Sequence, residues 1–153
     1  MFRFLEGLAR FYSLFAIGDP LEEDDFESHA GIIRRLGSLI VGDDLFVTNL
    51  ERLKRGIRLG AANAMVLMPN MVGTISKALD AARYANDRGY RLVGSGGAGR
   101  SIDDPIPGIA VAVGAPLVKF GGPRTGERLG KQNALLRIED ELGRSGRFAG
   151  SDL

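Results

Sequence analysis

The chain has 153 residues, with 20 Lys plus Arg against 19 Asp plus Glu and a formal charge of +1. That length suits one domain able to bury roughly 68–70% of its unfolded surface, and the balanced charge supplies no global field for nucleic acid or an anionic membrane. Cysteine is absent, which excludes disulfides, thiolate metal sites and thiol nucleophiles and is compatible with a cytoplasmic location.

The first segment, MFRFLEGLARFYSLFAIG, is apolar, but Arg3, Glu6 and Arg10 interrupt it before a signal-peptide core or a membrane span could form. It is expected to be a soluble amphipathic helix. Five short apolar runs follow: SLFAI at 13–17, SLIV at 38–41, NAMVL at 63–67, YRLV at 90–93 and APLV at 115–118. Each precedes a stretch of helical character, so the chain repeats a strand–helix unit. After Gly18-Asp19-Pro20, the acidic LEEDDFE suits a helix N-terminus. NLERLKRGIRLG places Leu50, Leu53 and Ile57 on one helical face, with Asn49 as N-cap and Gly60 as stop. A further helix is expected from Thr74 to Gly89, another near Ser101 to Asp104, and a last one in GERLGKQNALLRIEDELG that closes at Gly143. The predicted domain covers 1–148, and 149–153 reads as a flexible tail.

Strands alternating with helices require a parallel α/β sheet with right-handed crossovers, open or curved as part of a barrel. Chemistry on such a scaffold collects at the strands' C-terminal tips. Those tips hold Gly18, Asp43, Met68, Ser95 with Gly96, and Lys119, of which only Asp43 and Lys119 ionise. The Asp43–Lys119 couple reads either as a remnant anion or metal site or as an ordinary ion pair. GSGGAGRS, with Arg100 close by, could cradle a phosphate with backbone N–H groups, or its glycines could fill vacated space. His29 is expected on a helix at or near the surface. Met65, Met68 and Met71 read as apolar filler rather than a soft-metal cluster. The basic run RLKRGIR has no interleaved aromatics and reads as a solvated helix face, not a nucleic-acid site. GGPRTGERLGK lacks the lysine–hydroxyl pair of a P-loop.

GDPLEEDDFE, IVGDDLFVTN, LMPNMVGT, DRGYRLVGSGGAG, LVKFGG and ERLGKQNALLRIEDELG follow one another as in the enolase family. From about Tyr12 to Gly150 the chain resembles that family's C-terminal barrel domain. The resemblance implies a partial TIM-type barrel of about five parallel strands. It also implies the family's chemistry: a magnesium-dependent lyase of glycolysis in which a lysine removes a carbon-bound proton and metal ions stabilise the enolate. Against that pattern Met68 stands in the place of the lysine base and Gly18 in the place of a glutamate metal ligand. Gly96 and Gly97 stand where the substrate loop has histidine and arginine, beside a retained Ser95. Asp43 matches a second metal ligand and Lys119 the second active-site lysine. The third ligand belongs to a portion of the family pattern outside this match.

The expectation is therefore a binding or structural pseudoenzyme without phosphopyruvate hydratase activity. No cofactor is expected, with Mg²⁺ the one to look for if family-type binding is retained. Homo-oligomerisation or pairing with another enolase-like chain is expected from the open sheet edges. The alternatives are a lyase completed by a partner chain, or a binder of a small phosphorylated molecule that uses Ser95 to Ser101, with Ser95, Gly96 and Gly97 as the degenerate substrate loop.

Overall fold

A computed structural model of the chain describes residues 1–97 and 101–152. Helix α1 (Phe2–Tyr12) leads into five repeats: β1 (Ala16–Gly18) and α2 (Phe26–Ile33); β2 (Leu39–Gly42) and α3 (Leu50–Leu59); β3 (Ala64–Leu67), followed by the one-turn α4 (Pro69–Val72) and then α5 (Ile75–Asn86); β4 (Arg91–Ser95) and α6 (Ile106–Ala112); β5 (Leu117–Lys119) and α7 (Gly126–Leu142). Two short 3₁₀ turns, Gly143–Ser145 and Ala149–Asp152, end the chain. The strands form one sheet in the order β1-β2-β3-β4-β5, and every neighbouring pair is parallel. The sheet curls, so the architecture is a partial TIM-type barrel with two free edges, as the sequence predicts. Among the described residues no helix is long and apolar enough to cross a membrane.

The elements sit where their local chemistry places them. Asn49 accepts from the N–H groups of Glu51 and Arg52 and so caps α3, which ends at Gly60 with φ 67°, a left-handed conformation that glycine adopts without steric cost. Thr74 caps α5 through the Lys77 N–H. Three boundaries differ from expectation. Ser13 turns left-handed and closes α1, so β1 begins only at Ala16. Asp25, accepting from Ser28, is the cap of α2, which leaves Glu22, Glu23 and Asp24 in the preceding loop. The fourth crossover helix starts at Ile106 rather than near Ser101, because Pro105 fixes the entry and the Asp104 carboxylate takes the Ile106 N–H.

Alternation along the strands separates two apolar layers. Ile40, Met65, Leu67 and Leu92 point outward into a large core shared with Phe26, Phe46, Leu53 and the alanine face of α5. Val41, Ala64, Val66 and Val93 point to the concave side with Leu39, Met68 and Leu117. His29 is fully buried on α2, not at the surface, and neither ring nitrogen has a hydrogen-bond partner. Its neighbours Phe26, Ala30 and Ile32 are buried with it. These four positions form the inward face of α2, with Glu27 exposed on the other side, and the histidine is carried inside with that face.

Tyr90 packs against Phe46 with ring centroids 6.2 Å apart. Burial pushes its hydroxyl up to about 12, against a partial opposing pull from the Ala62 backbone. A raised phenol is a group that resists ionising in the folded state, so its contribution is complete below its ordinary value near 10 and is lost as pH rises through about 12. The melting temperature of the native chain should therefore fall faster than that of Tyr90→Phe across this alkaline window. Parallel curves would remove the assignment.

Candidate functional site

The strand tips converge on the concave side. An open trough of about 420 Å³ is lined by Gly18, Asp19, Val41, Asp43, Val66, Val93, Leu117 and Lys119, with Phe15, Ala16 and Val118 at its margins. The walls are aliphatic and the charges sit only at the rim. Register accounts for this: Gly18 pairs with Val41, Val66 with Val93 and Val93 with Leu117, so the residues two further along each strand or strand end share the trough side.

Asp43 and Lys119, 76 positions apart, meet across the sheet, with Lys119 Nζ 2.5 Å from Asp43 Oδ2. The lysine side chain is 56% exposed and the carboxylate 26%, so water weakens the attraction and the pair fixes geometry more than it stabilises. Asp43 itself is placed by Asp19. The Asp19 carboxylate accepts from the N–H groups of Asp43 at 3.0 Å, Asp44 at 2.8 Å and Leu45 at 3.5 Å, while its own N–H donates to Val41 O at 3.0 Å. One side chain thus ties the tip of β1 to the loop after β2.

A second tie holds position 68. Thr48 is buried, and its hydroxyl donates to Val66 O at 3.2 Å and accepts from Met68 N–H at 2.9 Å. The turn that delivers it is strained, since Val47 and Thr48 have φ values of 42° and 57°, a region β-branched residues seldom adopt. The backbone of Met68 is therefore held at the tip of β3. Its thioether packs with the concave aliphatic layer. Neither Asp19 nor Thr48 stands out in the sequence as a site residue. The available signals are an aspartate following a glycine at a strand tip, and a threonine immediately before a helix cap.

A smaller recess of about 230 Å³ lies between Met68, Ser95, Gly96, Gly97, Lys119, Gly121 and Arg128. Ser95 is buried and its hydroxyl faces Lys119 O at 3.5 Å. Beneath Gly96 runs Lys131, only 1% exposed. Its Nζ donates to Glu127 O at 3.0 Å and stands 3.6 Å from Asp104 Oδ2. A Cβ at position 96 would overlap the Lys131 stem, with Cδ only 2.8 Å away. The lysine stem fills the space a side chain at 96 would need, and this favours the space-filling reading of the glycine loop. The remainder of the predicted phosphate cradle, Ala98 to Arg100, lies outside the described residues.

These donors do not fit magnesium. A magnesium ion takes six oxygens in near-octahedral geometry. Gly18 offers no side chain, the Asp19 carboxylate is occupied by three backbone N–H groups, and Asp43 faces an ammonium. The one group of acidic side chains with ligand atoms close together among the described residues is Glu22, Glu23 and Asp24. It is exposed, excludes Asp43, and has Asp24 paired with Arg52 at 2.7 Å.

Comparison with known proteins matches the whole chain, residues 1–153, to the model described as "Enolase, C-terminal TIM barrel domain". The chain is 48% identical over 143 residues to the enolase of Methanococcus aeolicus, covering 93% of this chain and 33% of that protein. It is 48% identical over 139 residues to the enolase of Methanocaldococcus jannaschii, covering 91% and 33%. With the enolase of Methanococcus maripaludis the identity is 49% over 142 residues, covering 92% and 33%. The chain spans about one third of the length of these relatives. A parallel partial barrel, a family match over its full length and near-half identity to enolases agree: the chain belongs to the enolase C-terminal TIM barrel domain family.

Proposed function

We propose that this chain is an enolase-derived half-barrel that does not perform phosphopyruvate hydratase chemistry and instead acts as a binding or structural protein. The observation that carries the reading is Met68. Removing a proton from carbon needs a basic atom at that carbon, and the tip of β3 presents a thioether on the aliphatic side of the trough. Gly18, Gly96 and Gly97 deepen the deficit, since a metal ligand and two substrate-holding groups are absent from the same strand ends. Lys119 is the lysine left at the site, and Asp43 holds its ammonium.

The test is turnover of 2-phosphoglycerate with magnesium, followed as phosphoenolpyruvate absorbance. No rate above background is expected, and Met68→Lys alone should not create one because the other groups stay missing. A substantial rate in the native chain, abolished by Lys119→Ala, would overturn the reading.

The Asp43–Lys119 couple favours a second reading, a lyase completed by a partner chain, because both residues keep the identities the family uses. Adding an enolase N-terminal portion to the assay separates the two. Under the first reading the mixture remains inactive.

A further inference from the structure

We propose that the outer face of α1 and the cleft at its C-terminal end form a docking surface for an anionic lipid bilayer. Whether the trough does chemistry does not enter this inference. Phe4 and Phe11 are 63% and 81% exposed. Seven residues apart, they share one face of the helix, and the exposed rings of Tyr12 and Phe15 continue the aromatic surface to the start of β1. Phe11 and Tyr12 meet edge to face with centroids 4.8 Å apart, so together they present one apolar wedge to solvent. Contiguous exposed apolar surface of this kind marks an interaction site.

Arginines run beside the rings. Arg3 and Arg10 each stand one position before a phenylalanine of the stripe, and both are exposed. Neither side chain has a hydrogen bond or ion pair among the described residues. At the end of α1 a cleft of about 380 Å³ opens between Arg10 and Ser13 on one wall and Arg35, Gly37 and Ser38 on the other. The walls are tied together, since the Ser38 hydroxyl donates to Leu14 O at 2.6 Å and the Leu39 N–H to Phe15 O at 2.8 Å. Glu6 is the acidic side chain in this lining, held 3.6 Å from Arg35, so two guanidinium groups face one carboxylate.

Charge complementarity selects the occupant. A helix that lies in a membrane interface sinks aromatic rings into the boundary between headgroups and acyl chains and leaves its arginines among the phosphates. Guanidinium groups pair with phosphate oxygens through a planar fork of donors, and the cleft offers two of them next to the Phe11–Tyr12 wedge. An apolar protein groove would cover the rings and leave Arg3 and Arg10 without partners, whereas an anionic bilayer satisfies both. The balanced charge of the whole chain does not oppose this. The acidic Glu22, Glu23 and Asp24 follow β1 at its far end, and the cleft precedes that strand.

Vesicles of mixed phosphatidylserine and phosphatidylcholine should carry the full chain down on centrifugation, and vesicles of phosphatidylcholine alone should not. Arg10→Gln should weaken this binding about fivefold, the usual effect of one arginine near an anionic surface, and Phe11→Ser at least as much, both with unchanged circular dichroism. Because the chain has no tryptophan, Phe11→Trp supplies a single reporter. Its emission should shift to the blue on the anionic vesicles and be quenched by brominated acyl chains. Met71→Trp, in α4 at the opposite end of the sheet, should do neither. Should Phe11→Ser not fold, Arg10→Gln and the two tryptophan variants decide. No sedimentation with the anionic vesicles overturns the proposal, as does binding that Arg10→Gln and Phe11→Ser leave unchanged. A melting temperature raised by inorganic phosphate without vesicle binding assigns the cleft to a free anion and overturns it. So does a dimer in light scattering that Phe11→Ser disperses without vesicle binding, by assigning the aromatic stripe to a protein.

Discussion

Replacing Phe46 with alanine is expected to destabilise the chain by about 3–5 kcal/mol, a large part of the marginal stability of a domain this size. The ring is fully buried, with its centroid 6.4 Å from that of Phe26 and 6.2 Å from that of Tyr90. Its seat is two glycines. A Cβ at Gly42 would stand 2.6 Å from Phe46 Cδ2, and one at Gly56 would overlap Cε1. Gly42 ends β2 and Gly56 lies in α3, so the ring is the wedge by which the strand and its crossover helix approach. Neither glycine has side-chain atoms that could relax into the vacated volume, which puts the loss toward the upper end of the range. The same geometry reverses an ordinary propensity argument. Gly56→Ala should gain up to about 1 kcal/mol of helix propensity, yet the buried ring cannot move aside, and overpacking of about 1–3 kcal/mol prevails. Urea midpoints followed by circular dichroism give both values. A Phe46→Ala loss below about 1 kcal/mol, well under the range for buried aromatics, would mean the wedge is not what joins the layers.

Much of this fold is legible without coordinates because each strand–helix unit carries its own punctuation. Asn49 and Thr74 have a side-chain oxygen to offer the first turn, and Gly60 and Gly143 can turn where other residues strain, so α3, α5 and α7 end close to where the sequence puts them. The strands are less legible at their ends. Apolar runs begin in the loops, and pairing with neighbours selects which part becomes sheet: of APLV at 115–118 only Leu117 and Val118 join β5, which then takes in Lys119. At the site, alternation along β2 and β5 is enough to bring Asp43 and Lys119 to one side, and the predicted contact exists. Thr48 escapes notice because its function depends on a backbone that β-branched residues avoid, a tertiary override of local preference. His29 is misjudged for a related reason. It lies on the face of α2 that also carries Phe26, Ala30 and Ile32, and it follows their burial even at the cost of unsatisfied nitrogens.

Asp19 is the residue on which the arrangement of the strand tips depends, and Asp19→Ala should destabilise the chain by about 3 kcal/mol. The carboxylate holds two well-formed hydrogen bonds, to Asp43 and Asp44, and a longer one to Leu45. Bonds to a charged acceptor contribute about 1.5–3 kcal/mol each, here reduced because water reaches the Asp44 N–H. Alanine loses them all and meets a second penalty: Asp19 has φ 37°, where a residue other than glycine, asparagine or aspartate is strained by about 1–2 kcal/mol. Asp19→Gly removes the carboxylate without the strain, so it should be less destabilising than Asp19→Ala by about that difference. Asp19→Asn keeps one acceptor oxygen and the left-handed tolerance, and should lose least. The ordering Asn, Gly, Ala in increasing loss of melting temperature separates hydrogen bonding from backbone strain. In all three variants the Asp43 and Asp44 amides should exchange faster with solvent, while those of α5 remain protected. If Asp19→Ala melts with the native chain and the loop amides stay protected, the loop after β2 is held by its own turn, and Asp43 would face Lys119 without help from the first strand.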